Sequence, residues 1–232
     1  MEIALVVFAD DDDPQQPAAA DATGPLLAAV QPVTDPCRSD WFTPKSVEQV
    51  RALRSGDEAF RSWTDLDYLA DGAFANHGPV LVTLQGLHAD RSVTITDIAV
   101  EVIARNPPPQ GTVLDAPCAD TELYRYAVID LDKPQPKAVG EPVSADAAEQ
   151  ARLKGWRVDP ISFPYEITST DAETFLLSAR TASCDCSFVV HFEWSAAGQT
   201  GRLTVPDNGK SFRVVGGANA PRCRTDQVLE CR

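Results

Sequence analysis

Hydrophobic and polar residues alternate most cleanly between Cys186 and Trp194. Cys186, Phe188, Val190, Phe192 and Trp194 fall on one side of an extended chain, and Ser187, Val189, His191 and Glu193 on the other, because successive side chains of a strand point to opposite faces. The pattern predicts a half-buried strand with a cysteine at the entry to its buried face. The same period of two recurs at Val80, Val82 and Leu84, over residues 124–131, at Ile161, Phe163, Tyr165 and Ile167, at Phe175, Leu177 and Ala179, and over 202–205 and 211–215. Val93 and Ile95 alternate in one phase and Ile98, Val100 and Val102 in the other, with Asp97 at the break. A one-residue slip turns every later side chain over, so this break predicts a bulge or a crossing between two sheets.

Turn signals separate these runs. Pro107, Pro108 and Pro109 stop the strand before them, since no central strand continues through residues without an amide hydrogen. Asn76 to Gly78 and residues 196–201 read as turns, and Asp207-Asn-Gly209 as a tight one, because Asn-Gly tolerates the positive φ of a short hairpin. Ser46 and Gln49 have the spacing of a capping box and predict a short helix over 46–53. Residues 57–63, with Phe60 and Trp63 on one side, predict a further helical turn or two, and 144–154 a weak helix capped by Gly155. Residues 10–36, rich in Asp, Pro, Ala and Gln, bury little and read as a tether with room for one short helix. The tail after Gly216 shows no period. The expected organisation is a tether over 1–36 and a single domain over 37–232: an all-β, antiparallel sandwich of about eight or nine strands with one or two short helices.

Composition narrows the setting. A net charge of −14 disfavours nucleic acid and anionic membrane surfaces, whose affinity comes from Lys and Arg meeting phosphate. Six cysteines, Cys37, Cys118, Cys184, Cys186, Cys223 and Cys231, stand against only three histidines. They include no Cys-x-x-Cys, which fits disulfides and an extracytoplasmic compartment better than a zinc site. Cys184-Asp-Cys186 also has the form of a redox-active or metal-touching pair. Residues 3–9 are apolar but shorter than the roughly 20 residues that span a bilayer. Either they border a transmembrane helix of a longer protein, or they form an edge strand or tail.

The run of residues 80–86, the strand over 93–102 followed by Arg105, Pro107, Gly111 and Thr112, then Asp130-Leu-Asp132, Phe163-Pro164, Cys186, Trp194 and residues 207–212 together resemble the extracytoplasmic β-rich domain of uncharacterised actinobacterial, Streptomyces-type single-pass membrane proteins, some of which carry a helix-turn-helix regulator. The resemblance covers about residues 41–213. It implies an extracytoplasmic module and a bridge between Cys118 and Cys186. Such a bridge would close a loop of roughly 70 residues and contribute on the order of 4 kcal/mol in the chain-entropy treatment. Cys37, Cys184, Cys223 and Cys231 have no counterpart and are expected to be paired with connectivity open. No catalytic residue is carried over, and no helix-turn-helix is readable here.

Enzyme chemistry finds little purchase in the sequence. His77 lies in a turn, His88 follows Gly86, and His191 is on the outward side of its strand, so each reads as a surface residue; no Gly-x-Ser-x-Gly is present. Asp130 with Asp132, or Asp65, Asp67 and Asp71, have the form of glycosidase or calcium carboxylates, but acidic residues are abundant here and no Asp-x-Asp-x-Asp-Gly loop accompanies them. The expectation is a non-catalytic binding or sensing domain without cofactor or metal, meeting an extracellular protein or glycan. A carbohydrate-active secreted hydrolase and a structural spacer are the alternatives.

Overall fold

The computed structural model describes residues 24–31, 40–54, 72–115, 125–141, 149, 160–207, 209–224 and 230–231. Fifteen strands and one helix are defined among them: β1 (Leu26–Gln31), β2 (Asp40–Thr43), α1 (Val47–Arg54), β3 (Ala73–Ala75), β4 (His77–Gly86), β5 (Val93–Asn106), β6 (Thr112–Asp115), β7 (Arg125–Asp130), β8 (Ala138–Val139), β9 (Tyr165–Ile167), β10 (Glu173–Arg180), β11 (Asp185–Ala196), β12 (Gln199–Val205), β13 (Phe212–Val215), β14 (Arg222–Arg224) and β15 (Glu230–Cys231). They form an all-β, sandwich-like fold of two sheets. One runs β1-β4-β10-β7-β8, the other β15-β14-β6-β2-β3-β13-β11-β5-β9, with β12 also on β11. Both sheets are mixed rather than purely antiparallel, because β10 with β7, β13 with β3 and β14 with β6 run parallel.

The second sheet is arranged around β11. Along one edge it pairs with β5 over nearly its whole length, and along the other with β13 at its start and β12 at its end. Of its predicted inner row, Cys186, Phe188, Val190 and Phe192 are fully buried and Trp194 is half-buried against the same core, and Phe192 meets Phe175 of the opposite sheet with ring centroids 5.3 Å apart. Val80, Val82, Leu84, Leu177 and Ile129 fill the facing side. The phase break at Asp97 is a bulge: Glu193 lies opposite Asp97 but Trp194 opposite Ile95, so Thr96 is passed over. A second shift between Ser187 and Phe188 passes over Ile103, which leaves that side chain 55% exposed.

Several expectations are corrected. Residues 26–31 are not tether: β1 pairs with β4 and buries Leu26 and Ala28 in the main core. The apparently patternless tail supplies β14 and β15. Of the strand expected over 161–167 only β9 forms, since Pro164 has no amide hydrogen for a ladder; Ile161 is nonetheless buried. His191 is not a surface residue but only 6% exposed. The capping box stands as read, with the Ser46 amide donating to Gln49 Oε1 at 2.8 Å and the Gln49 amide to Ser46 Oγ at 3.3 Å. The 57–63 helix, Phe60, Trp63, the tether before residue 24 and most of 144–154 lie outside the described residues. Among those described, no helix is long and apolar enough to cross a membrane.

Burial separates core from periphery sharply enough to test. Phe192→Ala should lower unfolding free energy by about 3–5 kcal/mol in urea titration, whereas Ile103→Ala should change it by no more than about 0.5 kcal/mol. Equal effects would contradict the assignment of β5 and β11 faces.

Candidate functional site

Three connections that follow directly from strand and helix chemistry meet in a cleft of about 720 Å³. Thr43 ends β2 and Pro44 leads into the capped start of α1, which contributes Ser46, Val47, Glu48 and Gln49. Pro108, Pro109, Gln110 and Gly111 join β5 to β6, and Gly216, Asn219, Ala220 and Pro221 join β13 to β14. Ala182, between β10 and β11, lies in the same wall. The lining pairs proline rings with carboxamides, a hydroxyl and the single carboxylate of Glu48. That carboxylate is held below its ordinary range, first by its own backbone amide and then by the Ser46 hydroxyl, as expected in the first turn of a helix.

Close backbone approach fixes the walls. A side chain at Gly216 would put its Cβ 2.6 Å from the Ala182 carbonyl oxygen, and one at Gly111 would put it 2.2 Å from that of Thr43. The Gly216 amide donates to the Cys184 carbonyl at 2.7 Å and the Val113 amide to the Pro221 carbonyl at 2.8 Å.

Behind Ala182 the bend over 181–184 is clamped by Asp132. Its carboxylate accepts from the Ser183 hydroxyl (2.6 Å), the Thr181 hydroxyl (2.7 Å) and the Ala182 amide (2.8 Å). Partial burial alone would push this carboxyl up, but those hydrogen bonds outweigh it and hold it below the ordinary aspartate range. Arg105, at the end of β5, donates to the Leu131 and Lys133 carbonyls and so ties the loop carrying Asp132 to the strand that leads into the prolines.

The cysteines differ from expectation. Cys186 is bonded to Cys184, not to Cys118. Fully extended residues two apart lie about 6.6 Å from one another, but Cys184 sits in the bend ahead of β11, which shortens the Cα separation to 5.3 Å and brings both sulfurs into the core. Cys223 and Cys231 are directly opposed on β14 and β15 and bonded. Cys223 packs with Trp41, Val50 and Leu114 in a small core beside α1. Cys37 and Cys118 lie outside the described residues, as do Asp65, Asp67 and Asp71. Among the described residues no group of three His, Cys, Asp or Glu side chains is placed to hold a metal ion.

The histidines are dispersed. His191 bridges three strands: Nδ1 shares a hydrogen bond with Thr204 at 2.9 Å and Nε2 with Glu101 at 3.2 Å. On the same outer face Arg213 pairs with Asp185 and Arg202 with Glu193. His77 lies near Asp40, Arg180 and Arg222; burial pushes its imidazole down, and burial also pushes the Asp40 carboxyl up although Asp40 pairs with Arg222. His88 and Arg91 border a smaller cavity of about 230 Å³ beside Trp194. Asp130 forms an ion pair with Lys133 and accepts from the Asp132 amide, while the Asp132 carboxylate is taken up by the 181–184 bend, so the two are not a free carboxylate pair. Sequence reasoning missed Thr181 and the clamping role of Asp132; the short Thr-x-Ser-Cys run after a strand was the available signal. Comparison with protein-family models, curated proteins and solved structures finds no match.

The Asp132 clamp has a pH signature. Because the folded carboxyl titrates below its ordinary value of 3.8, its contribution is present above that value and is lost as pH falls through the folded one. Asp132→Asn should therefore lower the melting temperature at pH 7 and bring it closer to wild type as the pH falls towards about 2. A constant difference across that range would contradict the clamp.

Proposed function

We propose that the chain is a non-catalytic binding or sensing domain working outside the cytoplasm, with the cleft between α1, residues 108–111 and residues 216–221 as its ligand surface. The observation that carries this reading is a preformed cleft: its walls are tied by the capping box, by hydrogen bonds of the Cys184 and Pro221 carbonyls, and by the Asp132 clamp. Walls already ordered lose little conformational freedom on binding. Gln110 and Asn219 bring carboxamides to the rim, and Pro44, Pro108, Pro109 and Pro221 bring flat apolar rings. That combination suits an uncharged extended peptide or a glycan, while the net charge of −14 works against nucleic acid. The two bonded cysteine pairs are compatible with an oxidising compartment.

A hydrolase reading draws on one observation, the line of Thr204 hydroxyl, His191 imidazole and Glu101 carboxylate. None of the three lines the cleft. Their positions across β5, β11 and β12 favour a role in joining those strands. His191→Ala should accordingly lower stability by about 1–3 kcal/mol in denaturant titration, as expected for a buried hydrogen-bonded group.

The binding reading is tested with a glycan array and a displayed library of extended peptides. A saturable ligand whose affinity falls at least tenfold in Gln110→Lys and Asn219→Lys, with melting unchanged, is the expected result. A ligand unaffected by both substitutions would contradict the cleft assignment. Turnover of chromogenic esters or glycosides abolished by Thr204→Ala would replace binding with hydrolysis.

A further inference from the structure

The Cys184–Cys186 bond adds little to the stability of the sandwich. Stabilisation by a disulfide grows with the length of chain it closes, so a bridge across a sequence separation of 2 contributes least. β11 is in any case paired along both edges. Opening this bond is therefore compatible with the folded state.

Its surroundings bear on its chemistry. Thr181 Oγ1 lies 3.0 Å from Cys184 Sγ and donates to Asp132 at 2.7 Å, while it accepts from the Cys184 amide at 3.2 Å and the Ser183 amide at 3.3 Å. A buried hydroxyl is thus oriented beside one sulfur of the pair and backed by a carboxylate. Ala182 and Ser183 are exposed, whereas both sulfurs lie beneath the surface. Access consequently depends on lifting this bend, and the Asp132 carboxylate is its latch.

We propose that Cys184–Cys186 is a thiol–disulfide exchange site that reacts with a dithiol, with Cys184, the less deeply buried residue of the two, as the one attacked. A thiolate of the dithiol bonds to Cys184 Sγ, the Cys184–Cys186 bond breaks, and Cys186 leaves with the electron pair and takes up a proton. The second thiolate of the same molecule then attacks its partner sulfur in the mixed disulfide. That step closes the dithiol into a disulfide and releases Cys184 as a thiolate, to which the Thr181 hydroxyl turns and donates before solvent protonates it. Two electrons and two protons pass from the dithiol to the protein. Thr181 is a positioning residue for this release, and Asp132 controls access.

The test is titration of the intact chain with dithiothreitol under native conditions, followed by alkylation and mass spectrometry. Cys184 and Cys186 should become alkylated together while far-UV circular dichroism stays unchanged and Cys223–Cys231 stays closed. Asp132→Asn should speed this reduction about tenfold, the rate equivalent of one lost charge-assisted hydrogen bond. Thr181→Val should slow the second step, so that Cys184 accumulates as a mixed disulfide with dithiothreitol, and Thr181→Ser should clear that adduct again, a rescue that loosened packing would not give. Reduction that appears only with global unfolding, and at the same denaturant concentration in Asp132→Asn, would overturn the proposal. The exchange site stands whether or not the cleft binds a peptide or glycan.

Discussion

The pairing of β11 along both edges is the constraint from which the rest of the structure follows. A strand that carries β5 on one side and both β12 and β13 on the other must commit its inner row to the core, and Cys186, Phe188, Val190 and Phe192 do so fully while Trp194, at the far end, is half-buried. The facing sheet is then fixed by what packs on that row, with Phe175 against Phe192 as the aromatic contact between layers. The outer row, polar apart from Val189, is used to pin neighbours, through Asp185 to Arg213, His191 to Glu101 and Thr204, and Glu193 to Arg202. These cross-strand contacts are individually modest but lie in succession along one strand.

The entry to β11 is where architecture passes into chemistry. The chain leaves β10, bends through residues 181–184 and enters β11, so one short connection is held from three sides: by Asp132 of the loop after β7, by the Gly216 amide, and by its own disulfide. The outer surface of that bend is part of the cleft wall. Binding surface and sulfur pair are therefore neighbours by topology, and the rigidity of one depends on the connection that houses the other.

Strands with a clear period of two were legible in the sequence, namely β4, β5, β7, β10 and β11, together with the bulge at Thr96 and the cap of α1. In each the information is local, because burial of one face shows directly as alternation. β1, β2, β3, β14 and β15 were not legible. β1 reads Leu-Leu-Ala-Ala-Val-Gln, and its buried Ala28 carries too little contrast with Ala29 to show a face. The others are two to four residues long and owe their state to partners distant in sequence, such as β14 on β6. The cleft was invisible for the same reason: Pro44, Pro109 and Pro221 each read as a connection, and only tertiary pairing brings the connections together. The Cys184–Cys186 bond was not legible because the expected Cys118–Cys186 bridge rested on the resemblance alone, and nothing in the sequence measures the bend that brings Cys184 within 5.3 Å of Cys186.

The entry of β11 is closed upon itself by the Cys184–Cys186 bond, and non-reducing peptide mapping addresses that most directly. Protein isolated without reductant, blocked and digested, should yield a peptide in which Cys184 and Cys186 are oxidised within one segment, and a second species linking Cys223 to Cys231. Recovery of Cys186 bonded to Cys118, or of Cys184 and Cys186 as free thiols in otherwise folded protein, would contradict it.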